Sequence, residues 1–354
     1  MNILVVGNAN ERLLGAKTYG FERKLFNGFV RNGHNVQLFS DRDVARNGTI
    51  FGSSRAGRGS ANRKLLEFVR NFAPDLVVFV YSSLIASDTF EAARRLCPGL
   101  RLAQVCMDCL WRPINLEFVR DRASVVDATF ATTAGPVLAQ FAKGRNRSSY
   151  LPNPIDPSIE TGRGFARSDQ RYDVFWAARA GKGNYPEDPR VVFALHLAAS
   201  GQVEVDYHGI GDRPQLFSHE FFLRLNDCRM GLNLNSDRLV GAAAPAPADE
   251  LRLYNSDRIA QVVGCGLLAI STRANGIGEL FEEGREMAFA DTKEELLETV
   301  LRYKRDDAAR RRVAEAGWRK GHEQFNERLA AQYIEDVTFE RPLSHAYAWP
   351  TQLW

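Results

Sequence analysis

Residues 254–283 read YNSDRIAQVVGCGLLAISTRANGIGELFEE, and this stretch decides the fold. Ser256 is a favoured N-cap residue, and DRIAQVV after it makes about two helical turns. Gly264 and Gly266 close the helix, because glycine adopts the left-handed C-cap conformation without steric cost. Residues 267–271 (LLAIS) are continuously apolar, as a strand buried on both faces is. A polar loop follows over 272–278, and a second helix is expected to open at Glu279. Arg258 and Gln261 are three apart and share one face of the first helix, while Ile259, Val262 and Val263 point towards a core. A polar face carrying one cation thus stands beside two glycine-bearing turns at the edge of a parallel sheet, where open α/β sheets bind ligands.

The rest of the chain fits two such sheets. At 354 residues it exceeds one comfortable core, so two domains are expected. Its 45% hydrophobic and 25% charged residues are those of an ordinary globular protein. A net charge of +3 gives no argument for nucleic acid as a partner. Residues 3–6 form a strand-length apolar run ended by Gly7, so no secretory leader is expected, and no run approaches the roughly 20 apolar residues of a membrane helix. Five cysteines, an odd number, suggest free thiols in a reducing cytoplasm.

MNILVVG reads as a buried first strand. The loop after it, rich in Gly and Asn, brings Asn8, Asn10 and Lys17 to the strand's carboxyl end but carries no G-x-G-x-x-G fingerprint. A helix over 21–32 and a strand over 35–40 complete a βαβ unit. Residues 46–63, basic and rich in Gly and Ser, read as a loop: either a solvated linker or a cationic lip for an anionic acceptor. Strands follow at 74–81 and 101–106. The second ends in Cys106-Met107-Asp108-Cys109, whose thiols read as structural, since no second Cys/His pair is near. Asp108, at a strand's carboxyl end, either orients or deprotonates a hydroxyl or caps the next turn. Residues 156–171 are polar and Gly-rich, as a linker is.

The strand at 172–176 leads into AARAGKGN, where two glycines and the cations Arg179 and Lys182 suit either a diphosphate or a plain surface loop. GAAAPAPA, within 236–249, reads as a lid or an inert insertion. The basic helix over 308–321 suits either an anionic membrane surface or plain solvent. The aromatic tail HAYAWPTQLW reads as docked.

The opening stretch resembles the sugar-nucleotide motif of GT-B glycosyltransferases, in the group that includes CgeB-type proteins and the glycosyl transferases group 1. Their pattern, R-x-x-E-A-x-A-C-G-x-x-x-[IV]-[ST] and then G-[IL]-x-E-L-F, is met here by Arg258, Cys265, Gly266, Ile270, Ser271, Gly276, Ile277, Glu279, Leu280 and Phe281. Gln261 stands where the family has Glu; its carbonyl accepts a hydrogen bond without charge assistance. Asp108, Trp111, Arg112 and Pro113 are similar to a W-x-x-D…R-P segment of CgeB-like chains.

The resemblance implies an α/β chain of GT-B architecture, two Rossmann-like domains facing a central cleft: 1–155 on the acceptor side, a linker at 156–171, 172–324 on the donor side, and 325–354 crossing back. It implies a hexosyltransferase-like, retaining enzyme; the cysteine usage points to the cytoplasm, and the lack of a D-x-D with supporting carboxylates to metal independence. It would move sugar from a nucleotide-sugar to a glycan, lipid-linked or other hydroxyl acceptor in bacterial cell-surface polysaccharide or lipopolysaccharide synthesis, with peripheral contact at the inner membrane surface. No cofactor and no nucleic acid are expected. Donor-side residues are then Arg179, Lys182, Asn255, Arg258, Gln261, Gly276, Gly278 and Glu279, aided by the dipole of the helix expected after Gly278. Acceptor-side residues are Asn8, Asn10 and Lys17, with Asp108 catalytic. A sugar-nucleotide epimerase and a non-catalytic nucleotide-sugar-binding protein share the fold and stay open.

Overall fold

A computed structural model describes residues 1–178, 188–234 and 253–354. Arg179, Lys182 and the GAAAPAPA segment lie outside the described residues. The chain divides into two compact units: Met1–Asp156 with Phe325–Trp354, and the described residues from Pro157 to Gln324.

The first unit is built on β1 (Asn2–Gly7), α1 (Phe21–Arg31), β2 (Asn35–Ser40), α2 (Asp41–Asn47), α3 (Arg58–Phe72), β3 (Leu76–Val80), α4 (Ser87–Leu96), β4 (Arg101–Cys106), α5 (Pro113–Arg120), β5 (Ala128–Ala131) and β6 (Arg147–Tyr150). All six strands are parallel, in the order β2-β1-β3-β4-β5-β6. The strands are apolar because both faces are covered; Ile3 to Val6 are wholly buried. Strand order reverses between β1 and β3, and such a switch point leaves a crevice at the strands' carboxyl ends.

Residues 46–63 are not one loop. α2 runs on to Asn47 and α3 starts at Arg58, leaving only 48–57 outside helices. The small residues serve contact: a Cβ on Gly57 would lie 1.8 Å from the Ala45 carbonyl oxygen, and Ala61 is wholly buried. Asn62 fixes α3 by donating to Leu84 (2.9 Å) and accepting from the Ala86 amide (2.9 Å) and the Thr89 hydroxyl (2.6 Å).

The chain leaves this unit at Asp156 and returns at Phe325. The two crossings are stitched together: Ile155 donates to Phe325 (2.8 Å) and accepts from the Glu327 amide (3.0 Å). The returning helix, α11 (Glu327–Thr338), lies so close on α1 that a Cβ on Gly28 would meet the Glu327 carbonyl oxygen at 2.2 Å. Arg31 bridges Asp156 and Glu327. The aromatic tail docks on the same unit: Tyr333, Tyr347 and Trp349 pack edge-on or tilted against one another, and Trp354 exchanges two backbone hydrogen bonds with Ser148.

The second unit contains β7 (Tyr172–Ala177), α6 (Pro189–Ala199), β8 (Val205–His208), α7 (Ser218–Asn226), β9 (Cys228–Asn233), α8 (Asp257–Gly264), β10 (Leu268–Ser271), β11 (Ala288–Phe289), α9 (Lys293–Arg305) and α10 (Asp307–Gln324). Its five parallel strands run β11-β10-β9-β7-β8, so the switch point falls between β7 and β9. No α-helix opens at Glu279. A single 3-10 turn, Ile277–Glu279, precedes Leu280 and Phe281, which are both buried, and Gly284 then turns in the left-handed conformation towards β11. Arg273 fastens this loop by pairing with Glu283, Asp291 and Glu295. Within α10, Arg310 is wholly buried on Asp307 and the Arg229 carbonyl, Arg311 reaches Asp307 and the Phe165 carbonyl, and Arg319 pairs with Glu315. These cations are held within the unit.

Glu22 fills the first switch-point crevice. It is buried, its Cβ lies 3.1 Å from where a Gly7 side chain would begin, and Oε1 would meet a Gly20 Cβ at 2.1 Å. Burial pushes its carboxyl up to about 7, from 4.5. A raised folded-state pKa destabilises the fold once the unfolded chain ionises, so this stability is present below pH 4.5 and is lost as pH rises towards 7. At about 1.4 kcal/mol per unit the loss reaches about 3 kcal/mol. Glu22→Gln is therefore expected to melt above the parent at pH 8 and level with it near pH 5, by differential scanning calorimetry across that range. A difference that does not vary with pH contradicts the assignment.

Candidate functional site

The second unit's site grows from one close approach. A Cβ on Gly231, in β9, would lie 2.7 Å from both Val262 methyls, so only glycine lets α8 settle on the strand. Two residues on, Asn233 is wholly buried and aligned with Ser271 of β10. Its carboxamide donates to Ser271 Oγ (2.8 Å) and accepts from Ser256 Oγ (2.6 Å). Ser256 occupies the N-cap position of α8, but its hydroxyl is spent on Asn233 and caps no amide. This network ties the first turn of α8 to the carboxyl ends of β9 and β10.

The other end of α8 is equally fixed. Gly266 adopts φ 73°, and a Cβ there would meet Phe165 at 2.8 Å and the Gly164 nitrogen at 2.9 Å. The Gly164 amide donates to the Cys265 carbonyl (2.9 Å), so residues 157–171 strap the helix rather than hang free.

Arg258 is thereby placed beside the second switch point. Its guanidinium, largely buried, donates to the Leu234 carbonyl (3.2 Å) just past β9. Burial lowers its pKa, with Asp257 opposing and Arg190 reinforcing the shift. Among the described residues no carboxylate pairs with it, and a buried cation without a counter-charge is costly unless an anion arrives. Arg190, on the first turn of α6 and held by Asp188 (2.5 Å), adds positive potential there. Gln261 and Asn255 are buried on the same element and its approach. Among the described residues the Gln261 carboxamide makes no hydrogen bond. Gly276 turns at φ 68°, while Gly278 and Glu279 are exposed, with open space where a Gly278 side chain would project. Arg258, Gln261 and Asn255 thus cluster at α8, and the 276–279 turn stands beyond β10. Arg179 and Lys182 lie outside the described residues.

At the edge of the same sheet, Asp206 Oδ1 accepts from His208 (2.9 Å) and Arg224 (2.5 Å). Burial raises this carboxyl, but the two hydrogen bonds outweigh it and hold the group below its usual range. His208 is a structural anchor of β8.

In the first unit, Asn8 and Asn10 bond each other at the end of β1: Asn8 donates to Asn10 Oδ1 (2.9 Å), and Asn10 donates to the Asn8 carbonyl (2.9 Å). Lys17 is exposed in the following loop, and Asp108 is exposed just past β4. Cys106 is buried, and burial pushes its thiol up to about 12, which keeps it protonated. Among the described residues no three His, Cys, Asp or Glu side chains converge as a metal site. Sequence reading missed Tyr81. It follows β3 directly at φ 40°, a strained conformation for a bulky residue, and donates to Asn115 (3.0 Å). Burial and the charge of Asp108 raise its pKa, so the two side chains share one neighbourhood. It also missed Asn233 and Arg190; the alternation of Leu and Asn over residues 230–235 (MGLNLN) is the one signal in the sequence for the first.

Residues 185–336 match the family described as glycosyl transferase-like. No curated protein matches the chain. Among solved structures, Anabaena Alr3699/HepE in complex with UDP-glucose superposes with TM-score 0.59 at 13% identity, covering 96% of this chain and 100% of the other. Sucrose-phosphate synthase from Thermosynechococcus elongatus gives 0.61 at 11%, covering 96% and 98%. A putative UDP-N-acetylglucosamine 2-epimerase from Listeria monocytogenes gives 0.52 at 13%, covering 98% and 99%. Likeness at these identities is one of fold, and two parallel sheets of the same order are the GT-B fold.

Proposed function

We propose that the protein is a glycosyltransferase that takes a sugar from a nucleotide-sugar, a UDP-sugar first among the candidates, and moves it to a hydroxyl acceptor. The observation that carries this reading is Arg258: a largely buried guanidinium at a switch point, unpaired by carboxylate among the described residues. It would neutralise the leaving diphosphate, with Arg179 and Lys182 as further cations of that site. The helix dipole expected after Gly278 has no part, because that segment is one 3-10 turn. Asn255, Gln261 and Glu279 would hold ribose and sugar hydroxyls, and Gly276 and Gly278 would let the sugar lie against the loop. Asp108 would orient or deprotonate the acceptor hydroxyl, and Asn8, Asn10 and Lys17 would line the acceptor side. Neutralisation by cations supports a metal-independent transfer, and the resemblance to the GT-B group favours retention. A lipid-linked or glycan acceptor of cell-surface polysaccharide synthesis fits that chemistry.

Donor affinity tests the residues. Arg258→Ala is expected to weaken UDP-sugar binding by about 10- to 100-fold, the loss of a charge-assisted hydrogen bond of roughly 1.5–3 kcal/mol. Gln261→Leu is expected to weaken it strongly by leaving a ribose hydroxyl unpaired. Gln261→Glu changes it by less than about tenfold, because stronger acceptance is offset by repulsion of the diphosphate. Calorimetric titration that finds either Arg258→Ala or Gln261→Leu equal to the parent contradicts the placement.

The epimerase reading is favoured by the Listeria likeness. Incubation with UDP-sugars separates the two: a transferase turns over only with an acceptor and keeps its rate in excess EDTA. Interconversion of sugars without acceptor supports the epimerase, and loss of rate restored by Mg²⁺ contradicts metal independence. Binding without turnover in either assay supports a non-catalytic binding protein.

A further inference from the structure

Two turns at the carboxyl rim of the first sheet carry the most exposed large apolar side chains among the described residues: Leu14 at 93%, Ile50 at 97% and Phe51 at 95%, with Leu13 beside them at 43%. One turn follows β1 and the other follows α2, and the two are joined. The Glu11 amide donates to Asp43 Oδ2 (2.9 Å), and the Arg12 guanidinium lies 2.9 Å from where a Gly52 side chain would begin. Leu14 is held at φ 49°, a left-handed conformation that costs a leucine strain. Among the described residues, Leu14, Ile50 and Phe51 are almost wholly exposed, and Leu13 is partly so. The exposed charges around them are Arg12, Lys17, Arg55 and Arg58 against Glu11 alone, because Asp41 and Asp43 are buried.

We infer that this lip is a membrane-docking surface that inserts Leu13, Leu14, Ile50 and Phe51 into the headgroup region of an anionic bilayer. Apolar tips ringed by cations match such a surface in both chemistry and sign. The tips project from turns, with Leu14, Ile50 and Phe51 almost wholly exposed, as insertion into a headgroup layer requires. The basic helix α10 matches this role less well, because Arg310, Arg311 and Arg319 are bonded within its own unit and, among the described residues, no apolar tip stands beside them. The inference rests on the proposed function only in giving the rim a lipid-linked acceptor; the binding itself needs no donor.

Co-sedimentation with vesicles tests it. The parent is expected to bind vesicles of phosphatidylcholine containing about a third phosphatidylglycerol, and to bind pure phosphatidylcholine weakly. Ile50→Asp/Phe51→Asp is expected to lower the partition coefficient at least tenfold. Arg12→Gln/Arg55→Gln is expected to lower it about twenty-five-fold at low salt, about fivefold for each cation removed. Donor affinity of the Ile50/Phe51 variant, measured by calorimetry, stays at the parent value. Vesicle binding with no donor binding upholds the lip while the transferase reading fails. A parent that ignores anionic vesicles, or variants that bind like it, overturns the lip. So does a parent that self-associates in gel filtration through Ile50 and Phe51, which makes a second copy the occupant.

Discussion

The second unit depends on how closely α8 lies on β9. Gly231 permits the contact, and Asn233 locks it by spending both ends of its carboxamide on Ser256 and Ser271. A buried amide in such a network is worth more than its separate bonds, since losing one partner strands another. Because the helix's first turn is fixed to the strand ends, Arg258 cannot swing into solvent without breaking its bond to Leu234. The site's cation is thus pre-positioned by packing, and the desolvation that lowers its pKa is the same feature that would strengthen its hold on an anion.

The first unit has the same strand order at its switch point but different contents. Where a nucleotide-binding sheet receives a phosphate at the helix N-terminus after β1, here Glu22 of α1 folds back over Gly20 and fills the crevice. The carboxyl occupies the space beside Gly7 and Gly20 that a phosphate would need. The neighbouring groups, Asn8, Asn10, Tyr81 and Asp108, are hydrogen-bonding groups and a carboxylate, suited to hydroxyls. Two sheets of one order are therefore distinguished by a buried carboxyl group in one and a largely buried guanidinium in the other.

The GT-B fold was legible because its evidence is local. The helix at 257–263 and the strand at 267–271 stand within one residue of α8 and β10, since glycine turns and apolar runs set such limits without help from distant contacts. Where the reading failed, tertiary packing decided. The glycines and serines of 46–63 have loop composition, yet Gly57 and Ala61 are small because α3 presses on α2. The expected helix at Glu279 lost to the need to bury both Leu280 and Phe281 on the way to β11. Ser256 reads as a cap until Asn233, distant in sequence, claims its hydroxyl. Glu22 looks like one more polar position on an amphipathic helix, and only the crevice around it gives it a shifted pKa.

The central claim is that the second unit holds a nucleoside diphosphate at α8. Hydrogen–deuterium exchange with and without UDP tests it most directly. The account predicts slowed exchange at the amides of 255–261 and 272–279, with the carboxyl ends of β1 and β3 in the first unit unchanged. Slowed exchange confined to the first unit, or none at α8 at saturating UDP, would contradict it.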